Sequence, residues 1–283
     1  MSFQIPNWST AARYVLYAIA VWGLSRFFKR VSKKSEAKVN WTVFETLAVT
    51  LGIYFGSQWL VQVLLEIFVT VIGWNSQEIQ AHFKDPSVTV QFFFTLLSYG
   101  IMAWMVVLFL KVRKMPLSII GWVAPKLRDI WYALGGFLVY FALYGVLISS
   151  LVSQLLPVNT EQKQQIGFNQ GTVGPELILI FVSLTILPPL VEELVVRGFI
   201  YTGLRSGMKK LYAAIIASLL FGAAHLEWGS GAPLLWTAAI DTFTLSMVLV
   251  WLRQKTGSLW PGIGVHFIKN SIAFLVLFIF KVT

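Results

Sequence analysis

The chain has 283 residues, 57% of them hydrophobic and only 12% charged, whereas a soluble domain of this length carries roughly twice that charge. The formal charge of +10 raises nucleic acid as a partner, but the basic residues sit in short loops between apolar runs, which is the pattern of a membrane protein with positive loops inside. Cysteine is absent, which excludes a disulfide, a thiol nucleophile, a lipoprotein anchor and a Cys-ligated metal.

Long apolar runs recur from end to end and predict an all-α integral membrane protein, a bundle of about eight transmembrane helices. Span one is read over Ala11 to Phe28. Little positive charge precedes it and much follows (Arg26, Lys29, Arg30, Lys33, Lys34, Lys38), the reverse of a cleavable signal peptide, so it is kept as a span. Span two runs from Val43 to Leu65 or somewhat beyond, with Gly52-x-x-x-Gly56 as a surface for close helix packing. A polar loop with His82 and Lys84 leads to span three, Val88 to Leu110. Met115 to Lys126 is too short to span and too apolar for a free loop, which predicts a short segment on the cytoplasmic surface. Span four is Ile130 to Leu151, where Gly135-Gly136 marks a close contact or a bend.

Gln154 to Gly174 is the clearest break in composition and reads as an external loop. It divides the chain into an N-terminal membrane region, 1–153, and a C-terminal core, 175–283. Span five starts at Pro175 and meets Pro188-Pro189, where a helix kinks or re-forms. Spans six, seven and eight are read at Leu211 to His225, Pro233 to Leu252, and Ser258 to Lys281. Basic residues concentrate in the loops this model puts inside, which predicts N- and C-termini on the non-cytoplasmic side.

Charged groups inside such spans cost about 2.5 to 3.5 kcal/mol each at a helix centre, so they are interior, paired and functional by default. Three groups stand out: Glu192-Glu193-x-x-x-Arg197, Phe221-x-x-x-His225 and His266-x-x-x-Asn270. Residues four apart share a helix face, so Glu193 and Arg197 can pair, while Glu192 is turned about 100° away. At about 1.5 Å rise per residue, Glu192, His225, His266 and Asn270 come to similar depths, with the active site inside the bundle. A carboxylate beside a neutral imidazole can deprotonate a water, and an imidazole with an Asn amide can donate to an oxyanion. Those are the parts for amide hydrolysis, and the chain has no phosphate loop, no His-Glu-x-x-His helix and no Gly-x-Ser-x-Gly elbow. Thr237, Asp241 and Thr244 add a polar stripe on span seven, which either lines a watery cavity or bonds within the bundle.

These three motifs in this order, with Ser258-Leu259-Trp260-Pro261 before the last, resemble the CPBP family of CAAX proteases and bacteriocin-processing enzymes, also called Abi. The resemblance covers about Pro175 to Ala273 and implies an intramembrane endopeptidase. Its prenyl-protein members cut a C-terminal tripeptide from a lipid-modified CaaX sequence. Carried over residue by residue, it implies that Glu192 and His225 activate the water, His266 and Asn270 hold the oxyanion, and Glu193 and Arg197 brace the site. No cofactor is expected on that reading. A metalloprotease reading stays beside it, with Glu192, His225 and His266 as zinc ligands. Two positions depart from the family pattern: Val196 where an aromatic commonly precedes the Arg, and Lys269 next to Asn270, which can snorkel or pair with Asp241. The expected partners are membrane lipids and a membrane-associated peptide or protein. The alternative is a non-catalytic scaffold, an immunity factor or a transporter built on the same buried groups.

Overall fold

In the computed structural model, residues 39–75, 86–149, 152, 162, 164, 166–228 and 232–281 are described. Span one, the basic stretch after it, His82 and Lys84 lie outside them. Among the described residues the regular elements are all helices, without strands.

Helix α1 (Val43–Ile72) begins at a reciprocal cap: the Thr42 hydroxyl accepts from Glu45 N–H at 3.2 Å, and Glu45 Oε2 accepts from Thr42 N–H at 2.6 Å. Its far end stops at Gly73, whose φ of +72° lies in the left-handed region that favours glycine. Helix α2 (Val88–Val112) is capped by Ser87 and followed by Pro116. Arg113 at its end pairs with Glu45, so this carboxylate both caps α1 and ties it to α2.

Helix α3 (Leu127–Tyr140) continues as a π turn over Phe141–Ile148. Helix α4 (Glu176–Leu204) is the central element: half of its most apolar window is buried, against 11% for α1, so it faces protein rather than lipid. Helices α5 (Lys210–Ala223), α6 (Trp236–Thr256) and α7 (Trp260–Ile279) complete the bundle. Outward-facing Phe55, Trp59, Val71, Trp104, Trp131 and Leu138 give it the apolar exterior of a protein in lipid.

Of the about eight spans expected, span one lies outside the described residues. Among the described residues four helices, α1, α2, α4 and α7, are long and apolar enough to cross a membrane, as expected of a multi-pass membrane protein. Helix α5, with 14 residues, is about 21 Å long by helical rise, short of a ~30 Å hydrocarbon core. Helix α6 has the length, but Asp241 and its threonines dilute its apolar character.

Two local expectations are revised. Gly52 and Gly56 do not form a two-glycine packing surface: a Cβ at Gly56 would meet Met105 Cε at 3.4 Å, while Gly52 faces open space, and the five residues form a π turn. Of the Gly135-Gly136 pair only Gly136 is a close contact, since a Cβ there would come within 2.7 Å of Leu252 Cδ1. Finally, the short segment after α2 is packed against the bundle through part of its length. Its 3₁₀ turn Leu117–Ile120 buries Ile120 completely, Gly121 C=O accepts from Leu259 N–H at 3.0 Å, and Val123 C=O accepts from the Trp260 indole at 2.6 Å. The segment therefore plugs one end of the bundle beneath α4 and α7.

Candidate active site

A cavity of about 530 Å³ opens within the bundle, and Glu192, His225, His266 and Asn270 all line it. They arrive from three helices: Glu192 from α4, His225 from the turn ending α5, and His266 and Asn270 from α7.

Helix α4 is irregular where it matters. Val182–Ile186 form a π turn, Pro188 and Pro189 sit in the first turn of the segment after it, and a second π stretch runs over Glu193–Ile200. Such turns are frequent at functional sites because they rotate the side chains beyond them. The prolines carry no N–H, so the Leu184 carbonyl lacks its partner whether the register is i+4 or i+5. Asn270 fills that place: its Nδ2 donates to Leu184 O at 2.9 Å. The second N–H of that amide remains, on a side chain lining the cavity.

Glu193 and Arg197 are both fully buried and pair at 2.9 Å along one face of α4. The Phe221 ring covers the guanidinium, with Cζ 4.3 Å from its centroid. The same Glu193 Oε1 lies 3.3 Å from His266 Nδ1. Gly262 makes room for the carboxylate, since a Cβ there would sit 2.9 Å from Glu193 Oε2.

Glu192 faces elsewhere, as its place in the helix requires. Its Oε1 accepts from the Tyr99 hydroxyl of α2 at 2.8 Å. Its Oε2 is buried without a protein hydrogen-bond partner and lies 3.9 Å from His266 Nε2. His225 Nδ1 lies 2.8 Å from Phe221 O. A carbonyl can only accept, so Nδ1 carries the proton, and in the neutral ring Nε2 keeps its lone pair.

The cavity wall has further polar groups. Lys269 pairs with Asp241 at 2.9 Å, and Asp241 also accepts from the Tyr140 hydroxyl. Of the stripe on α6, Asp241 therefore lines the cavity, Thr244 bonds back to Ile240 O at 2.8 Å, and Thr237 contributes its carbonyl to Tyr144. From the region read as an external loop, Gln164 and Ile166 reach the cavity.

Among the described residues no group of three His, Asp or Glu side chains could hold a metal ion. In both imidazoles Nδ1 is engaged, that of His266 with Glu193 and that of His225 with the Phe221 carbonyl, so Nε2 is the remaining nitrogen of each. Sequence reasoning missed Tyr99 and Tyr54, which line the cavity from the N-terminal half.

Residues 174–272 match the family model for type II CAAX prenyl endopeptidase Rce1-like proteins. That match agrees with the family that the motifs resemble, the CAAX proteases (CPBP), whose members are generally proteases. YyaK, an uncharacterized protein of Bacillus subtilis (strain 168), is 27% identical over 251 residues, which cover 84% of this chain and 78% of that protein. No solved structure matches the chain.

Proposed function

We propose that the protein is an intramembrane endopeptidase that hydrolyses a peptide bond in a membrane-associated peptide or protein, through a water activated by Glu192 and His225. One observation carries this reading: Glu192 has one oxygen held by Tyr99 and the other buried, unpartnered and on the cavity wall. A buried carboxylate oxygen left without a partner is costly unless it has work to do.

In the proposed step a water donates one hydrogen to Glu192 Oε2 and the other to His225 Nε2. Its oxygen attacks the scissile carbonyl carbon as Oε2 takes the proton. The carbonyl oxygen becomes an oxyanion facing His266 and Asn270. Asn270 offers the amide N–H that Leu184 leaves over, and His266 offers an Nε2–H. Collapse of the tetrahedral intermediate expels the amine, which takes the proton from Glu192. One water is consumed, and an acid and an amine are released.

Glu193 and Arg197 brace rather than react, because each is sealed from the cavity and spends its charge on the other. The reading is metal-independent, with the termini outside and the substrate entering from lipid, as in lipidated CaaX-type peptides. The test is cleavage of a panel of lipidated and unlipidated peptides by purified protein, with Glu192→Ala and His225→Ala variants and a chelator arm. Cleavage that survives both substitutions would sink the assignment. Loss of activity with chelator would replace the metal-free step, and a folded protein that cuts nothing would favour a non-catalytic scaffold.

A further inference from the structure

We propose that Tyr99 is a positioning residue that decides which oxygen of Glu192 receives the proton, an inference that rests on the hydrolytic role proposed for Glu192. A carboxylate has two equivalent oxygens, and one that can rotate presents either to the substrate. Here the symmetry is broken by one contact, the Tyr99 hydroxyl on Oε1 at 2.8 Å. Oε2 is left as the oxygen without a partner.

The contact is built rather than incidental. Tyr99 comes from α2, 93 residues before Glu192 and outside the segment 174–272 that carries the family match. Ser98 and Met102 line the same cavity from α2, and Tyr54 reaches it from the π turn of α1. A phenol on an apolar helix needs a partner for its O–H, and this one finds an ionisable group rather than a backbone carbonyl. Oε1 stays bonded to Tyr99 while the water's proton arrives on Oε2, and Tyr99 itself neither gains nor loses a proton. Helices α1 and α2 thus belong to the reacting unit.

The experiment uses the full chain and a peptide the wild-type protein cleaves, with Y99F, E192Q and the double variant. Expected for Y99F is a kcat lower by about 10- to 100-fold, the scale of a misplaced reacting group, with KM near wild type. In the E192Q background Y99F should take away nothing more. A turnover-free readout accompanies it: the infrared carboxylate band identified by its loss in E192Q should shift in Y99F. An E192Q variant that is inactive beside a Y99F variant at wild-type kcat overturns this inference alone, as does an unmoved band. An equal loss from Y99F with or without Glu192 also overturns it, since that is a packing effect. Cleavage that survives E192Q, or its absence in the wild type, overturns the catalytic reading and this inference with it.

Discussion

His266 Nδ1 and Glu193 Oε1 lie 3.3 Å apart, and the same oxygen accepts from Arg197 at 2.9 Å. One buried carboxylate thereby fixes both an imidazole on α7 and a guanidinium on its own helix. The motif Glu-Glu-x-x-x-Arg is in this sense an anchor for a different helix.

Removing either member of the Glu193–Arg197 pair should therefore unsettle more than a local contact. Arg197→Met leaves an uncompensated buried carboxylate, at a cost of about 3 to 5 kcal/mol. Glu193→Leu combined with Arg197→Met should be closer to wild type in stability than either single variant. Thermal unfolding of the four proteins in one detergent checks this, and additive losses would contradict it.

Glu192→Gln and His225→Ala should each lower turnover by roughly 10²- to 10⁴-fold, the range for loss of a general base, without a matching drop in stability. Glu192 has only one protein hydrogen bond in its place, and Gln keeps an oxygen to accept it. A progress curve at matched folded fraction is the measurement.

The Asp241–Lys269 pair offers a graded comparison. Its side chains are 18% and 27% exposed, so water screens it more than the sealed Glu193–Arg197 pair. Lys269→Met should lower the thermal midpoint, but by less than Arg197→Met. An equal drop would mean that cavity water does not reach the pair.

A reporter fused after Thr283 should be found on the non-cytoplasmic side if the orientation read from the basic loops is right. A cytoplasmic signal would reverse every loop assignment made from charge.

The sequence made the charged part of the site legible because ionisable groups in apolar helices have few innocent explanations, and four-residue spacing gives their faces. Glu192, Glu193 and Arg197 were readable on that ground, and the placement of His225, His266 and Asn270 at similar depths followed from helical rise. Tyr99 was not readable, because an aromatic hydroxyl in an apolar run looks the same whether it packs or bonds. The π turn at Gly52–Gly56 carried only a glycine pair, which suggested helix packing instead. Helix α5 reads as a span from its apolar character alone, although its 14 residues fall short of the hydrocarbon thickness.

The Pro188-freed carbonyl of Leu184 has a consequence for assembly. Inserted by itself, α4 would hold an unsatisfied carbonyl in hydrocarbon, at a cost of several kcal/mol. Only the arrival of α7 with Asn270 relieves it. The proline pair thus acts as a proofreading device for docking: two helices whose bonded residues lie 86 positions apart are most stable together in the register that also completes the cavity. Asn270→Leu should slow or misdirect that docking, and Pro188→Ala, which returns an N–H to Leu184, should restore assembly while leaving turnover impaired, a separation that protease protection and peptide cleavage would read independently.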